Sequence, residues 1–75
     1  MKEIAPRIVV DDAVRFGRPV IMGTRVPVDL VVGKLGGGMS AEDVAAEYGL
    51  DREDVLAAQR YAAEVLATKE VRTAR

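Results

Sequence analysis

Apolar positions in the first third of the chain come in short β-branched runs. RIVV at residues 7–10 and PVIM at residues 19–22 flank the polar, glycine-containing stretch 11–18, and such runs predict two short strands. Pro19 has no amide hydrogen to donate, so it fits only the start or the edge of a sheet. Two strands alone are hardly stable in water, and a second subunit is able to complete the sheet.

From residue 27 onward the apolar spacing becomes helical. Pro27 suits a first helical turn, where its missing amide costs nothing, and the Asp29 carboxylate favours the positive end of a helix. The glycine run 36–38 stops the pattern, which predicts a helix from Val28 to about Leu35. Its expected core side chains are Leu30, Val31, Val32 and Leu35.

A second helix is predicted between Ser40 and Gly49. Ser40 supplies a hydroxyl at the N-cap and Asp43 a carboxylate three residues later, which is a variant of the capping box. Gly49 is a helix stop. The apolar face of this helix consists of Val44, Ala45 and Tyr48.

The longest helix is predicted to begin after Asp51. Asp51 is its N-cap, Asp54 follows three residues later, and helical apolar spacing continues to about Thr68. The segment 69–75 has no stop signal and is expected to fray. The apolar positions of the helix are Val55, Ala58, Ala62, Val65 and Leu66.

The spacing of the last two helices is that of a helix-turn-helix unit. Ala45 is small where the helices approach, Gly49 lies in the turn and Leu50 lies beneath it. One interpretation makes residues 51–61 a recognition helix for the major groove of DNA. The other is that two capped helices of any small bundle look the same in sequence. The candidate DNA contacts are Arg52, Gln59 and Arg60.

Charge argues against strong independent affinity for DNA. The net charge is −1, and residues 1–39 carry six basic against four acidic side chains, whereas residues 40–75 carry five against eight. The candidate recognition helix opens with Asp51-Arg52-Glu53-Asp54, where three carboxylates repel phosphate. The sequence therefore supports a modest, dimer-dependent affinity at most.

Composition limits the chemistry that the chain can perform. Its 75 residues suffice for one small domain, and it contains neither cysteine nor histidine. Disulfides, thiol nucleophiles and metal sites with nitrogen or sulfur ligands are thereby excluded. We expect a protein that is not an enzyme and has no cofactor. A cytoplasmic location is expected, because no apolar run approaches the ~20 residues that span a membrane and the start lacks a signal-peptide pattern.

Two short motifs have both a chemical and a structural interpretation. The adjacent carboxylates Asp11 and Asp12 are able to bind a hard cation, but both residue types favour turns, and a turn is the better interpretation. The glycine run 36–38 lacks the Lys-Ser/Thr that follows in a phosphate-binding loop, so it is interpreted as a helix stop.

Residues 17–62 resemble a small bacterial and archaeal family. The stretch GRPVIMGTRVPV follows that family's pattern GxPvIxGTRiPV, and Ser40, the Tyr-Gly-Leu turn at 48–50 and Tyr61-Ala62 match its later positions. The family is the domain of unknown function 433. Its members look like VapB-type antitoxins, with a strand region for dimerisation, a winged or homeodomain-like helix-turn-helix, and a gene that often lies beside one for a PIN-like ribonuclease toxin.

Arg18, Thr24 and Arg25 also have two interpretations. In the frame of that family they form a polar, basic edge beside the strands, available for dimer contacts, toxin carboxylates or phosphate. In the local interpretation, Thr24 and Arg25 satisfy backbone groups and pair with Asp11, Asp12 or Asp29. The planar fork of an arginine suits either role.

The sequence thus predicts one mainly α domain that forms a dimer. It consists of a β-strand and dimerisation region at 1–26, a three-helix helix-turn-helix bundle at 27–68 and a frayed tail. The expected function is that of an antitoxin of a type II toxin–antitoxin pair, which neutralises a PIN-like ribonuclease toxin and binds operator DNA as an autorepressor. The alternative is a dimerising protein-interaction module without a DNA role, which the acidic start of the last helix favours.

Overall fold

A computed structural model describes residues 1–69 as a small antiparallel sheet followed by three helices. A 3₁₀ turn at Arg15–Gly17 interrupts the connection between the second and third strands. Within residues 1–69, none of the helices combines the length and hydropathy needed to cross a membrane. The elements are β1 (Lys2–Ala5), β2 (Ile8–Val10), β3 (Val20–Ile21), α1 (Val28–Gly36), α2 (Ala41–Tyr48) and α3 (Arg52–Ala67).

The sheet has three strands in the order β1-β2-β3, with both neighbouring pairs antiparallel. The two predicted strands exist, but each is shorter than the apolar run that predicted it. The third strand, β1, was missed because KEIA contains one β-branched residue and is almost entirely exposed. The prediction of only two strands was therefore wrong, since the same chain supplies a third. Pairing of the sheet with a second subunit stays a prediction.

Arg7 lies in a hairpin turn instead of the strand that was predicted for it. Ala5 pairs with Ile8, so Pro6 and Arg7 form a two-residue connection, and Arg7 has a φ of 68°. Proline at the first central position and a positive φ at the second are features of a type II turn. The turn carries the Arg7 side chain away from the strand and toward the helices.

Helix α1 begins at Val28 as predicted and ends at Gly36, one residue beyond the predicted end. Pro27 is the N-cap residue, with extended φ and ψ of −69° and 145°, and does not lie in the first turn. Of the four predicted core side chains, only Val31 is fully buried, and the other three are half-buried. Gly38 completes the stop with a φ of 107°.

The predicted start and stop of α2 are confirmed. The Ser40 hydroxyl accepts a hydrogen bond from the Asp43 amide at 3.1 Å, and Gly49 takes the left-handed conformation with φ 67° and ψ 37°. The Leu50 amide then donates to the Ala45 carbonyl at 2.8 Å, which closes the helix end. Three residues, 49–51, connect α2 to α3.

The start of α3 is confirmed as well, and its end at Ala67 agrees with the prediction to within one residue. The Asp54 carboxylate accepts a hydrogen bond from the Asp51 amide at 3.0 Å. Helix α3 packs against α1, α2 and β2, which makes it the central element of the fold. The buried core that these elements share consists of Ile8, Ile21, Val28, Val31, Val44, Val55, Ala57 and Ala58.

Candidate functional site

An open apolar groove of about 510 Å³ lies between α1 and the second half of α3. The lining includes the small residues Gly33 and Ala62. A Cβ atom placed on Gly33 would meet no atom outside α1 and its chain neighbours within 4 Å. We refer to this feature as the α1–α3 groove. Its lining consists of Arg18, Pro19, Val28, Asp29, Val32, Gly33, Tyr61, Ala62, Val65 and Leu66.

The two helices that border the groove differ in length. Helix α1 has 9 residues and α3 has 16. Tyr61, Ala62, Val65 and Leu66 recur at helical spacing and therefore share one face of α3. Val65 is 40% exposed and Leu66 is 65% exposed, so this apolar face continues beyond the part that the core covers.

A charged pair forms one rim of the groove. The Arg18 guanidinium donates a hydrogen bond to the Asp29 carboxylate in the first turn of α1, and both side chains remain largely exposed. Arg18 was predicted to contact a dimer mate or another partner. It lies beside the groove, where its own charge is already paired.

Thr24 holds the turn between β3 and α1. Its hydroxyl donates to the Ile21 carbonyl at 2.7 Å and accepts from the Val26 amide at 3.0 Å, while Gly23 takes a φ of 79°. Both roles of the hydroxyl are thus used within this chain. Arg25 is exposed, and within residues 1–69 its side chain makes no hydrogen bond or ion pair. The assignment of Arg18, Thr24 and Arg25 to an interface stays a prediction.

An aromatic side chain on the exposed 3₁₀ turn is a feature that the sequence reasoning missed. Phe16 is 100% exposed. Arg15, Phe16 and Gly17 have φ values of 54°, 56° and 80°, a left-handed conformation that L-residues rarely adopt. The available signal was the single phenylalanine of the chain, which lies in a connection with four charged residues among its eight, at 11–18.

The candidate DNA-binding residues lie together on the outward side of α3. Arg52, Gln59 and Arg60 are all exposed, and their spacing places them within about one third of the helix circumference. Arg52 is partly engaged, since its Nε lies 3.7 Å from a carboxylate oxygen of Glu42.

Arg7 neutralises part of the acidic start of α3. Its Nη1 lies 2.8 Å from an Asp54 carboxylate oxygen and 3.8 Å from one of Asp51. The hydrogen bond to Asp54 is the largest cause that raises the pKa of Arg7; desolvation opposes it, and attraction from Asp54, Asp51 and Glu53 adds to it. The pairing ties the β1–β2 turn to α3, and sequence reasoning missed it because the two segments are 47 residues apart.

The Asp11–Asp12 pair lies in a turn, as expected. The Asp11 carboxylate accepts a hydrogen bond from the Ala13 amide at 3.0 Å. Among residues 1–69, no three histidine, cysteine, aspartate or glutamate side chains are grouped so as to hold a metal ion.

The model of a family described as "Protein of unknown function (DUF433)" matches residues 8–62. The chain is similar to Rv2018 from Mycobacterium tuberculosis, whose crystal structure superposes with a TM-score of 0.65 at 33% sequence identity. That similarity covers 69% of this chain and 24% of Rv2018, so this chain corresponds to about a quarter of that protein. No curated protein is significantly similar.

Proposed function

Since this chain belongs to the DUF433 family, as residues 17–62 had indicated, we propose that it is a non-catalytic binding protein, the antitoxin of a type II toxin–antitoxin pair. The observation that carries the proposal is the apolar surface formed by the α1–α3 groove and Phe16. Contiguous exposed apolar surface on a small protein marks a contact with another protein. The proposal includes two protein partners, a second copy of the chain and a ribonuclease toxin.

The toxin contact is assigned to Arg25 and the strand side of the domain. Arg25 is exposed and has no partner within residues 1–69, whereas Arg18 is paired with Asp29. A guanidinium binds carboxylates in a bidentate fashion, and a ribonuclease with an acidic active site presents carboxylates. Arg25 therefore supplies the charge that masks such a site.

The experiment starts from the reading frame next to this gene. Its product is expressed alone and together with this chain, and growth and ribonuclease activity are measured. We expect growth arrest and RNA cleavage from the neighbour alone, and loss of both on co-expression. Arg25→Ala should weaken binding of the toxin about tenfold, and the matched Arg25→Lys, which keeps the charge, should weaken it less. A neighbour without nuclease activity, or one that this chain does not inhibit, would contradict the proposal.

Operator binding is the second candidate function, favoured by the three-residue connection between α2 and α3 and by the exposed candidates Arg52, Gln59 and Arg60. In this proposal α2 and α3 form a helix-turn-helix, and a dimer places two copies of α3 on one DNA fragment. The carboxylates at the start of α3 limit the affinity, and Arg7 reduces their repulsion.

Fluorescence anisotropy on the protein's own promoter fragment tests operator binding. At ~100 mM salt, replacing both Arg52 and Arg60 by alanine should abolish specific binding, and each lost phosphate contact should make the logarithmic salt slope shallower by about one unit. Arg25→Ala, which removes an exposed arginine outside both α3 and the α1–α3 groove, is the control. If the folded dimer shows no preference for the fragment over random DNA, the protein-interaction module without a DNA role remains.

A further inference from the structure

We infer that the α1–α3 groove is occupied by a second copy of this chain, with the Phe16 ring of each copy inserted into the groove of the other. The inference deepens the proposed function, because it rests on the dimer that the antitoxin proposal includes and states where that dimer forms. It assigns the groove to the second copy and leaves the strand side, with Arg25, to the toxin.

Phe16 is left uncovered by the described part of its own chain. The side chain is 100% exposed, so within residues 1–69 it lies in no groove. Its backbone is held in the left-handed region together with those of Arg15 and Gly17. A backbone conformation of this kind costs free energy and persists where the surrounding structure or function requires it. Here it directs an aromatic ring into solvent, which is the arrangement of an interface anchor.

The groove has the size and the chemistry to receive that ring. A cavity of about 150 Å³ accommodates benzene, and the groove volume of about 510 Å³ exceeds this severalfold. Gly33 and Ala62 keep the floor open, and Val65 and Leu66 supply exposed apolar walls. Inserting the ring covers apolar surface on both partners.

The two complementary features lie close enough together to allow two-fold symmetry. Phe16 precedes Arg18 by two residues, so its Cα lies within about 7 Å of a residue that lines the groove. With the ring and the groove adjacent, one two-fold axis can bring each ring to the opposite groove. Because such an interface uses the same surface on both copies, assembly ends at the dimer.

The area involved is that of a modest dimer. A phenylalanine buries about 150–250 Å², and the groove wall loses a similar area, so two insertions remove about 600–1,000 Å² from water. Stable interfaces begin near 1,200 Å² in total, which the residues around each ring must complete. A standard contribution of about 800 Å² per partner is roughly 15% of the 5289 Å² surface of this chain.

Sedimentation equilibrium of the full chain tests the inference. We expect a concentration-dependent dimer for the wild type. Phe16→Ala should weaken it at least 100-fold, because one substitution removes both rings, and Leu66→Ser should weaken it through the groove wall. Met22→Ala is the control, since Met22 is 42% exposed and does not line the groove. Circular dichroism should show that every variant is folded.

Cross-linking tests which residues meet. The chain has no cysteine, so chains carrying Arg15→Cys and chains carrying Val65→Cys can be mixed and treated with a short bis-maleimide. Cross-linked dimers should form in the mixture far more than with either chain alone. A dimer that survives both Phe16→Ala and Leu66→Ser, or equal cross-linking within each single population, would overturn the inference while leaving the dimer itself intact. A wild type that stays monomeric overturns the inference as well, whereas toxin neutralisation is a separate measurement and decides the antitoxin proposal.

Discussion

The two halves of α3 have the same apolar spacing but very different surroundings. In the first half, Val55 and Ala58 are completely buried under α1, α2 and β2. In the second half, Val65 and Leu66 are exposed along the α1–α3 groove. Apolar periodicity therefore identifies the face of a helix whose burial is favourable. It does not identify the element that packs against that face.

The two ends of α3 also differ in the contacts that hold them. At its start, Asp54 accepts hydrogen bonds from the Asp51 amide and from Arg7, which reaches over from the β1–β2 turn. At its end, the Thr68 hydroxyl donates a hydrogen bond to the nearby Val65 carbonyl at 2.7 Å, its one hydrogen bond within residues 1–69. The first half is thus anchored by distant parts of the chain, and the second by its own last turn.

The largest expected effect comes from removing the same two methyl groups in each half. Val55→Ala should lower the free energy of unfolding by about 2 kcal/mol, from lost burial plus the cavity left behind. Val65→Ala should change it by less than about 0.5 kcal/mol in the monomer. Thermal melts at low protein concentration should separate the two variants by roughly 10 °C. Equal losses would mean that the second half is covered as fully as the first.

The second-largest expected effect comes from disturbing the packing of α2 against the first half of α3. Ala45 packs against the core where α2 meets α3, so Ala45→Leu should cost about 1–2 kcal/mol by overpacking. Ala46 is exposed on the same helix, and Ala46→Leu should be nearly neutral. Urea denaturation measures both. Unchanged stability of the Ala45→Leu variant would contradict close packing of α2 against α3 at this position.

A smaller effect is expected at the turn that places α2 on the first half. Gly49→Ala should cost about 1 kcal/mol, because an L-residue is strained at a φ of 67°. Gly36→Ala, within α1, should instead stabilise by about 0.5–1 kcal/mol. Apart from chain neighbours and the backbone of the same helix, no described atom lies within 4 Å of the added methyl group at either position, so the pair isolates backbone conformation. Stabilisation by both substitutions would contradict the left-handed turn.

The smallest effect concerns the anchor at the start of α3. Arg7→Ala should lower the melting temperature slightly at low salt, and the difference should vanish in 1 M NaCl, because salt screens exposed ion pairs. Arg25→Ala is the matched control and should show no salt-dependent difference. Salt is the useful variable, since the raised pKa of Arg7 means that its charge is lost only at strongly alkaline pH. A salt-independent loss would show that Arg7 acts through packing.

The helical part of the fold was predictable because its signals are local. Ser40, Gly49 and Asp51 each determine a helix end through their own side chain or backbone, and the structure has those ends where the sequence placed them. Strand β1 was not predictable in this way, because it is an exposed edge strand whose place depends on the turn at Pro6 and Arg7.

The candidate site was less predictable than the fold. The α1–α3 groove is a gap between two helices of unequal length, and no residue pattern encodes a gap. The pairing of Arg7 with Asp54 joins distant segments. The exposure of Phe16 depends on a strained backbone that polar composition does not reveal.

The turn at Gly23 and Thr24 bears on how this family is recognised. The Gly-Thr-Arg string is part of the family pattern that this chain resembles. The threonine hydroxyl forms hydrogen bonds on both sides of the turn between β3 and α1. Such a pattern reflects a structural requirement, so proteins that share it are expected to share the turn between β3 and α1. Surface positions outside the string, such as Phe16, are free of that constraint, and divergence of binding partners within the family is expected to appear there first.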